Sequence, residues 1–402
     1  MTMNRRSILK GIGGTAAATT LAGCIGGLFT GDDPEVLWHE FQDAEAEDFN
    51  DFLAEFNEET GHDLGSNSVN EMEEQLETAL PAGEGPVGFT WAHDWIGLYH
   101  DEGYLYDATD DIDLNLEDTY SEAAAEAVQW EGNVYGLPYA AETVTLMYNR
   151  EMVEEPPETI DEMEEIMEDY HDPDGEGTYG LAYPPTDVYF MSAYLQAFDG
   201  LLFDEEADEL GVDSDAVIEG GEFIEQSLYP YTPAASDNEA HEATFGDGNA
   251  PFTINGPWMT GEYADLDLGV APLPLPDGGE PTPLTGIPLW YFTTEGEEAD
   301  EGTLESVVEF AEWYTTNDDV ITTNADNGMI PVHNDHVGSD ELGETVGAFS
   351  ETVDMGVPMP ADAKMDSVWA PMEDALDQLF SGSESAADAF ETAADEIRDS
   401  WD

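Results

Sequence analysis

The sequence predicts an α/β fold with mostly parallel sheets and room for two domains. Short apolar runs typical of buried strands alternate with longer segments that carry apolar residues at helical spacing. The chain has 402 residues, of which 41% are hydrophobic, so two domains can each bury a full core.

The predicted elements begin with a strand at residues 35–39 and a helix that stops before Gly61, a residue typical just past a helix end. That helix has four apolar residues at helical spacing: Phe49, Phe52, Leu53 and Phe56. Further strands are predicted at residues 86–91, 144–148 and 251–256. Further helices are predicted at residues 70–80, 159–171, 189–199, 213–228, 301–316 and 384–400. The Pro- and Gly-rich segment 273–283 is predicted to be a loop.

The N-terminus has the order of signals typical of an exported lipoprotein. Arg5-Arg6 precede a weakly apolar Gly/Ala/Thr stretch with no acidic residue before Asp32, as in a twin-arginine signal. The box that ends in Cys24 resembles a lipoprotein cleavage site. We therefore expect a signal at residues 1–24, lipid on Cys24 and a tether at residues 25–33; the alternative is an incidental cysteine. No other stretch approaches the ~18 apolar residues of a membrane span.

The charge balance is extreme, with 94 Asp and Glu against 6 Lys and Arg, a formal net charge of -88. The acidic residues are spread along the whole chain, so self-repulsion opposes folding in dilute buffer. At about 1 M salt the Debye length falls to roughly 3 Å and screens most of that repulsion. This pattern predicts adaptation to multimolar salt. It excludes nucleic-acid binding, which needs Lys and Arg against phosphates.

Signatures of enzymes, metals and cofactors are weak. Residues 83–88 match G-x-G-x-x-G, but the match precedes a strand and contains a proline, so it fails as a nucleotide-binding loop. Asp172, Asp174 and Glu176 mimic the start of a calcium loop, although Tyr183 stands where the bidentate Glu should be, which favours a solvated turn. His333 and His336 lack a third ligand. Cys24 is the only cysteine, so no cysteine metal site is expected. We expect no cofactor.

Four segments in order resemble the maltose/maltodextrin-binding proteins of ABC sugar importers. They are residues 91–94 (WAHD), residues 136–159 from GLPYAAE through LMYNR to PPET, residues 243–258 from ATF to FTINGPW, and Trp369 ahead of the C-terminal helices. The resemblance runs from about residue 35 to the end. It implies a two-lobed periplasmic-binding-protein-like fold with a ligand cleft between the lobes. Lobe one would hold residues 34–140 and 287–333, and lobe two residues 143–286 and 334–402.

The resemblance also implies the binding residues. The apolar face of a pyranose ring packs on aromatic rings, and its hydroxyls donate to carboxylates. The aromatic walls would be Trp91, Tyr189, Trp258 and Trp369, and the acceptors Asp94, Glu142 and Asp187. Glu40, Gln42 or Asp43 could also reach the cleft, where the register is loose.

The sequence departs from the family pattern at its basic and aromatic positions. Trp95 stands in place of an Arg, Ala44 in place of a Lys, Ala370 in place of an aromatic residue, and Glu373 in place of an Arg. The losses remove donors to sugar oxygens, so the identity of the sugar stays open among maltose, larger α-glucans, trehalose and other oligosaccharides.

The leading functional prediction is a receptor that binds a sugar outside the cell and presents it to importer permeases. We expect it to be a monomer held by lipid at the outer face of the cytoplasmic membrane. Alternatives are a receptor for a polyol or a peptide, a secreted carbohydrate-acting enzyme with two carboxylates at catalytic separation, and a structural surface lipoprotein.

Overall fold

The computed structural model describes residues 35–70, 72–175, 177–205, 207–234, 238–300, 302–339 and 343–401. The predicted signal and tether, with Cys24, lie outside the described residues. Within these ranges no helix is long and apolar enough to cross a membrane.

Strands and helices alternate along the chain. The strands are β1 (Glu35–His39), β2 (Gly65–Ser68), β3 (Gly88–Ala92), β4 (Gln129–Trp130), β5 (Asn133–Val134), β6 (Gly136–Pro138), β7 (Thr145–Asn149), β8 (Leu181–Ala182), β9 (Phe203–Asp204), β10 (Glu209–Leu210), β11 (Phe252–Asn255), β12 (Leu268–Ala271), β13 (Leu284–Thr285), β14 (Pro288–Phe292) and β15 (Val357–Pro358). The helices are α1 (Asp43–Thr60), α2 (Met72–Ala79), α3 (Ile96–Asp101), α4 (Leu116–Thr119), α5 (Glu122–Ala127), α6 (Ile160–Tyr170), α7 (Val188–Leu195), α8 (Asp215–Phe223), α9 (Asn238–Gly246), α10 (Glu295–Glu298), α11 (Thr303–Thr316), α12 (Asp318–Asp326), α13 (Glu344–Val353), α14 (Asp366–Phe380) and α15 (Ala386–Trp401).

The predicted elements match this order, with shifts of a few residues at their ends. Helix α1 stops where expected, because Gly61 takes a left-handed conformation with φ 82 and donates its N–H to the carbonyl of Asn57. The segment predicted as one helix at residues 213–228 has two parts. The α-helix ends at Phe223, and a short π-helical turn, Ile224–Leu228, follows it directly. Residues 273–283 form a loop, as predicted.

Two mixed sheets form the framework, so the prediction of mostly parallel sheets is wrong. The first sheet has the order β2-β1-β3-β14-β6 and the second the order β12-β7-β11-β8. Strand β1 is parallel to β2 and β3, and β8 is parallel to β11, but β14 runs antiparallel to β3 and β6, and β7 antiparallel to β11 and β12. The reversals occur at β7 and β14, the strands that the chain enters directly after crossing from the other sheet.

The chain crosses between the sheets on segments that pair with each other. Residues 139–144 lead from β6 to β7, and residues 286–287 lead back to β14. The N–H of Glu142 donates to the carbonyl of Gly286, and the N–H of Gly286 donates to the carbonyl of Glu142, each at 2.9 Å. The N–H of Ala141 also donates to the carbonyl of Ile330 at 2.8 Å. These bonds hold the crossing segments side by side. The lobe boundaries given above stay a prediction.

The buried apolar side chains form two large clusters. One lies under the first sheet and its helices, and the other joins one face of the second sheet to α7, α14 and α15. Successive side chains on β7 point to opposite faces. Leu146 and Tyr148 therefore join the second cluster, whereas Met147 joins the first. The ends of both sheets and the crossing segments meet at one cavity.

Candidate ligand-binding site

A cavity of about 590 Å³ is lined by residues of both sheets and of the crossing segments. All seven side chains that the resemblance implicated lie on its walls: Trp91, Asp94, Glu142, Asp187, Tyr189, Trp258 and Trp369. The volume falls in the range of about 300–1,000 Å³ that is typical of small-molecule sites. The structure thus brings together residues from positions 91 to 369 of the sequence.

Trp91 forms a wall from the end of β3, and its ring is fixed by a second tryptophan. The Trp91 and Trp95 rings stack with centroids 4.3 Å apart and an interplanar angle of 23°. Trp95 in turn packs on Tyr99, 5.2 Å away between centroids. Trp95, which stands where the family pattern has an arginine, therefore backs the aromatic wall.

Asp94 lies in the turn His93–Trp95 that follows β3. Its Oδ1 atom is buried and has no hydrogen-bond partner among the described residues. Burial is the main cause that raises the pKa of Asp94 to about 7, with smaller contributions from Glu73 and Asp366. An unpaired buried carboxyl oxygen is costly to leave without a partner. A ligand hydroxyl in the cavity would supply that partner.

His93 holds this turn against two other segments. The N–H of Ile287 donates to Nδ1 at 3.1 Å, so Nε2 carries the proton and donates to the carbonyl of Met359 at 3.0 Å. Burial lowers the pKa of His93 to about 4, which keeps the ring neutral. The ring therefore ties the turn that carries Asp94 to the segments at Ile287 and Met359.

Glu142 lies on a crossing segment, at the centre of the paired backbone described above. Its pKa is raised to about 8, chiefly by burial and to a smaller extent by the nearby carboxyls of Asp94 and Glu40. A side chain at Gly286 would place a Cβ 2.6 Å from Oε1 of Glu142. The glycine thus leaves the space in which the Glu142 carboxyl lies.

Asp187 and Tyr189 come from the start of α7. Oδ1 of Asp187 caps that helix by accepting from the N–H of Phe190 at 3.3 Å, and Oδ2 accepts from Asn238 at 2.8 Å. Burial raises the pKa of Asp187 in spite of these bonds. The hydroxyl of Tyr189 is buried and has no hydrogen-bond partner among the described residues. Asp187 thus caps α7 and also lines the cavity. The Tyr189 hydroxyl, in contrast, has a hydrogen that it can donate to a ligand.

Trp258 and Trp369 complete the aromatic walls. Trp258 follows β11 in the turn Pro257–Met259 and is 38% exposed. A Cβ at Gly256 would lie 2.1 Å from the Trp258 ring, so the indole lies directly over that glycine. Trp369 lies near the start of α14 and is half-buried.

The cavity has further walls that the sequence reading did not single out as binding residues. They include Phe41, Glu45, Glu73, Tyr139, Met329 and Met359. Tyr139 lies inside the GLPYAAE motif, and that position is the sequence signal that could have identified it as a cavity residue. Glu45 and Glu73 lie on acidic helices, where no sequence pattern distinguishes a residue that lines the cavity from one on the protein surface.

The three residues near β1 that were left open have different positions. Glu40 lines the cavity, and burial raises its pKa to about 7. Gln42 does not line it; its amide donates to the carbonyl of Glu40 and to the side chain of Asn70. The side chain of Asp43 lies outside the described residues.

No lysine, arginine or histidine occurs among the described residues that line the cavity. The lining carboxyl groups are Glu40, Glu45, Glu73, Asp94, Glu142, Asp187 and Glu373. Over the described ranges, no group of three or more His, Cys, Asp or Glu side chains is arranged to hold a metal ion. The walls therefore offer aromatic faces and hydrogen-bond acceptors, which suit an uncharged polyhydroxylated ligand.

Comparisons with known proteins agree with this architecture. Residues 51–347 match the model of the bacterial extracellular solute-binding protein family. The chain is 36% identical over 355 residues to the maltotriose-binding protein of Pyrococcus abyssi, covering 86% of this chain and 77% of that protein. It is 27% identical to the maltodextrin-binding protein MdxE of Bacillus subtilis, with 82% and 81% covered. The maltotriose-binding protein of Thermus thermophilus, solved with maltotriose, superposes with a TM-score of 0.81 at 25% identity, over 91% of this chain and 99% of that chain. The chain therefore has the two-lobed α/β fold and belongs to the bacterial extracellular solute-binding protein family.

Proposed function

We propose that the protein is the extracytoplasmic solute receptor of an ABC importer and binds an oligosaccharide of the maltodextrin type. The observation that carries this proposal is the composition of the cavity, whose described lining residues combine aromatic faces with carboxyl groups and include no basic group. The similarity to maltotriose- and maltodextrin-binding proteins supports the same ligand class.

The ligand would be held by both kinds of wall at once. Sugar rings would pack on Trp91, Trp258 and Trp369, and their hydroxyls would donate to Asp94 and Glu142. The walls come from both lobes, so a bound sugar stabilises the closed arrangement, and closure proceeds as a hinge motion of the crossing segments. The closed form is the one presented to the permease, and no covalent bond is made or broken.

The proposal includes the site of action. The twin-arginine signal and the lipid on Cys24 would hold a monomer at the outer face of the cytoplasmic membrane. One homologue is a solute-binding lipoprotein of a maltooligosaccharide ABC transporter from Streptococcus pneumoniae, which supports the lipid anchor. Substitution of Cys24 by Ser should release the protein into the medium, whereas loss of the Arg5-Arg6 pair should leave it inside the cell.

The test is a titration of the mature protein in multimolar KCl, followed by tryptophan fluorescence and calorimetry. Maltose, maltotriose, longer α-glucans, trehalose and glycerol serve as ligands. We expect saturable binding of an α-glucan and recovery of the sugar unchanged after incubation. Binding of glycerol or trehalose alone would point to another solute class, and cleavage of the sugar would contradict a receptor.

A further inference from the structure

We propose that the Glu142 carboxyl keeps a proton before the sugar binds and uses it to donate a hydrogen bond to a sugar oxygen that carries no hydrogen. A neutral acid thus takes the place of a basic side chain as donor. The inference rests on the proposed function and deepens it, since it names a donor for the oxygens of the sugar that can only accept. It also makes sugar binding depend on pH.

Three carboxyl groups converge at one edge of the first sheet. Strands β1 and β3 are parallel neighbours, so the residues that follow them emerge at the same edge. Glu40 follows β1 directly, and Asp94 follows β3. Strand β14 begins at this edge, because it runs antiparallel to β3, and Glu142 pairs with Gly286 just before it. The three carboxyls therefore line the cavity together.

Among the described residues, no basic group balances these acids. His93, which precedes Asp94, is held as a neutral ring by its bonds to Ile287 and Met359. The lysine and arginine side chains after Lys10 pair with acids outside the cavity: Arg150 with Glu344, Lys364 with Asp208, and Arg398 with Asp213. A carboxylate is costly to bury without a partner, and several in one enclosed space repel one another. At least one of the three therefore stays protonated.

Glu142 is the acid that holds the proton most firmly. Its pKa is about 8, whereas the pKa values of Glu40 and Asp94 are raised, chiefly by burial, to about 7. The other titratable groups that line the cavity around it are acids or phenols, and none of them carries a positive charge. They are Glu45 on α1, Glu73 on α2, Tyr139 on the same crossing segment, Asp187 and Tyr189 at the start of α7, and Glu373 on α14.

A protonated carboxyl supplies what the ionised acids of the cavity lack. The ring and glycosidic oxygens of a sugar carry no hydrogen, so they need a donor. An ionised carboxylate only accepts, whereas a protonated one has an O–H group to donate and still accepts with its other oxygen. Glu142 can therefore accept from one sugar hydroxyl and donate to a neighbouring ring or bridging oxygen.

The test is a pH series of calorimetric titrations with maltotriose in multimolar KCl. Affinity should fall about tenfold between about pH 6.5 and about pH 9, because a carboxyl with a pKa of about 8 is almost fully protonated at the first and about nine-tenths ionised at the second. Titrations at about pH 8 in two buffers of different ionisation enthalpy should show uptake of about half a proton per sugar bound, and almost none at about pH 6.5. Far-UV circular dichroism checks that the protein is folded at each pH.

Glu142→Gln keeps a donor and an acceptor that do not titrate. This variant should bind maltotriose equally across the series, without proton uptake, and more tightly than the unchanged protein at the alkaline end. Glu312→Gln is the matched control, because Glu312 is a half-buried acid outside the cavity whose pKa is also raised by burial. The control should behave like the unchanged protein.

Equal affinity of the unchanged protein at every pH, without proton uptake, would overturn the donor role of Glu142 and leave the receptor function intact. A fall in affinity that persists unaltered in Glu142→Gln would do the same. Absence of maltotriose binding at every pH would contradict the proposed ligand class, and the donor role with it.

Discussion

At the scale of single residues, the candidate site depends on side chains that lie directly against backbone. The Trp258 ring occupies the space above Gly256, and the Glu142 carboxyl occupies the space beside Gly286. Neither glycine has a positive φ, so the requirement there is for space rather than for an unusual backbone conformation. The backbone at these two glycines therefore holds the Trp258 ring and the Glu142 carboxyl in place without a basic side chain as partner.

The aromatic walls can be tested one ring at a time. Trp258→Ala or Trp369→Ala should each weaken sugar binding by about 1–3 kcal/mol, the range expected when a well-packed aromatic anchor is removed. Calorimetric titration with the preferred sugar measures the loss. Trp401→Ala is the control, since this half-buried tryptophan lies outside the cavity. Unchanged affinity in both cavity variants would remove these rings from the site.

The buried acid gives a prediction for pH. Glu142 has a pKa of about 8 in the folded protein and an ordinary value of 4.5, so the folded state keeps a proton that the unfolded chain releases. Stability therefore falls as pH rises towards about 8. His39 and His93, with pKa values lowered to about 4, act in the opposite direction only below about pH 6.5. Between pH 6.5 and 8 the thermal midpoint of the unliganded protein should fall by several degrees, and by less in Glu142→Gln. An identical fall in both proteins would contradict the role of Glu142.

At the scale of the elements, the crossing segments both connect the two sheets and contribute to the lining of the cavity. Gly286→Ala would place a Cβ within 2.6–2.8 Å of the Glu142 side chain, whose flexible end can move away. We expect affinity for the sugar to fall about tenfold or more, equivalent to about 1.4 kcal/mol, while thermal stability changes little. Gly347→Ala, at an open position, is the control. A large loss of stability with unchanged affinity would show that the glycine serves the fold alone.

The sequence predicts the elements better than their directions. Strand β11 and helix α1 are found where apolar spacing and Gly61 place them, because those signals are local. The antiparallel course of β7 and β14 has no local signal, since it follows from crossings between sheets that are distant in sequence. The same reason separates the site residues that were predicted from those that were missed. Trp91 and Trp258 stand in motifs, whereas Glu45 and Glu73 reach the cavity only through the packing of α1 and α2.

At the scale of the whole molecule, the charge has almost no internal compensation. After Lys10 the sequence has three lysine or arginine residues, and each pairs with one acid: Arg150 with Glu344, Lys364 with Asp208, and Arg398 with Asp213. All three pairs lie on the surface, where an ion pair contributes little to stability. We expect the other acidic groups to depend on screening by dissolved salt.

Dilution of salt should therefore unfold the protein. As the ionic strength falls from about 1 M to 0.01 M, the Debye length grows from about 3 Å to about 30 Å, and repulsion among the acids rises. Far-UV circular dichroism should show loss of structure on transfer to dilute buffer and recovery on return to multimolar KCl. A neutral osmolyte is the control and should not restore the structure, because it does not screen charge. A fold that persists in dilute buffer would contradict this prediction.

The pairing of Glu142 with Gly286 has a consequence for how such a receptor changes over evolutionary time. The side chain proposed to recognise the ligand and the backbone proposed to bend belong to the same residue. A substitution that adapts this position to a new sugar also alters the mechanics of opening, so selectivity and release rate cannot drift independently there. Lineages that acquire new nutrients should instead vary the rings at positions 258 and 369, which lie away from the pivot.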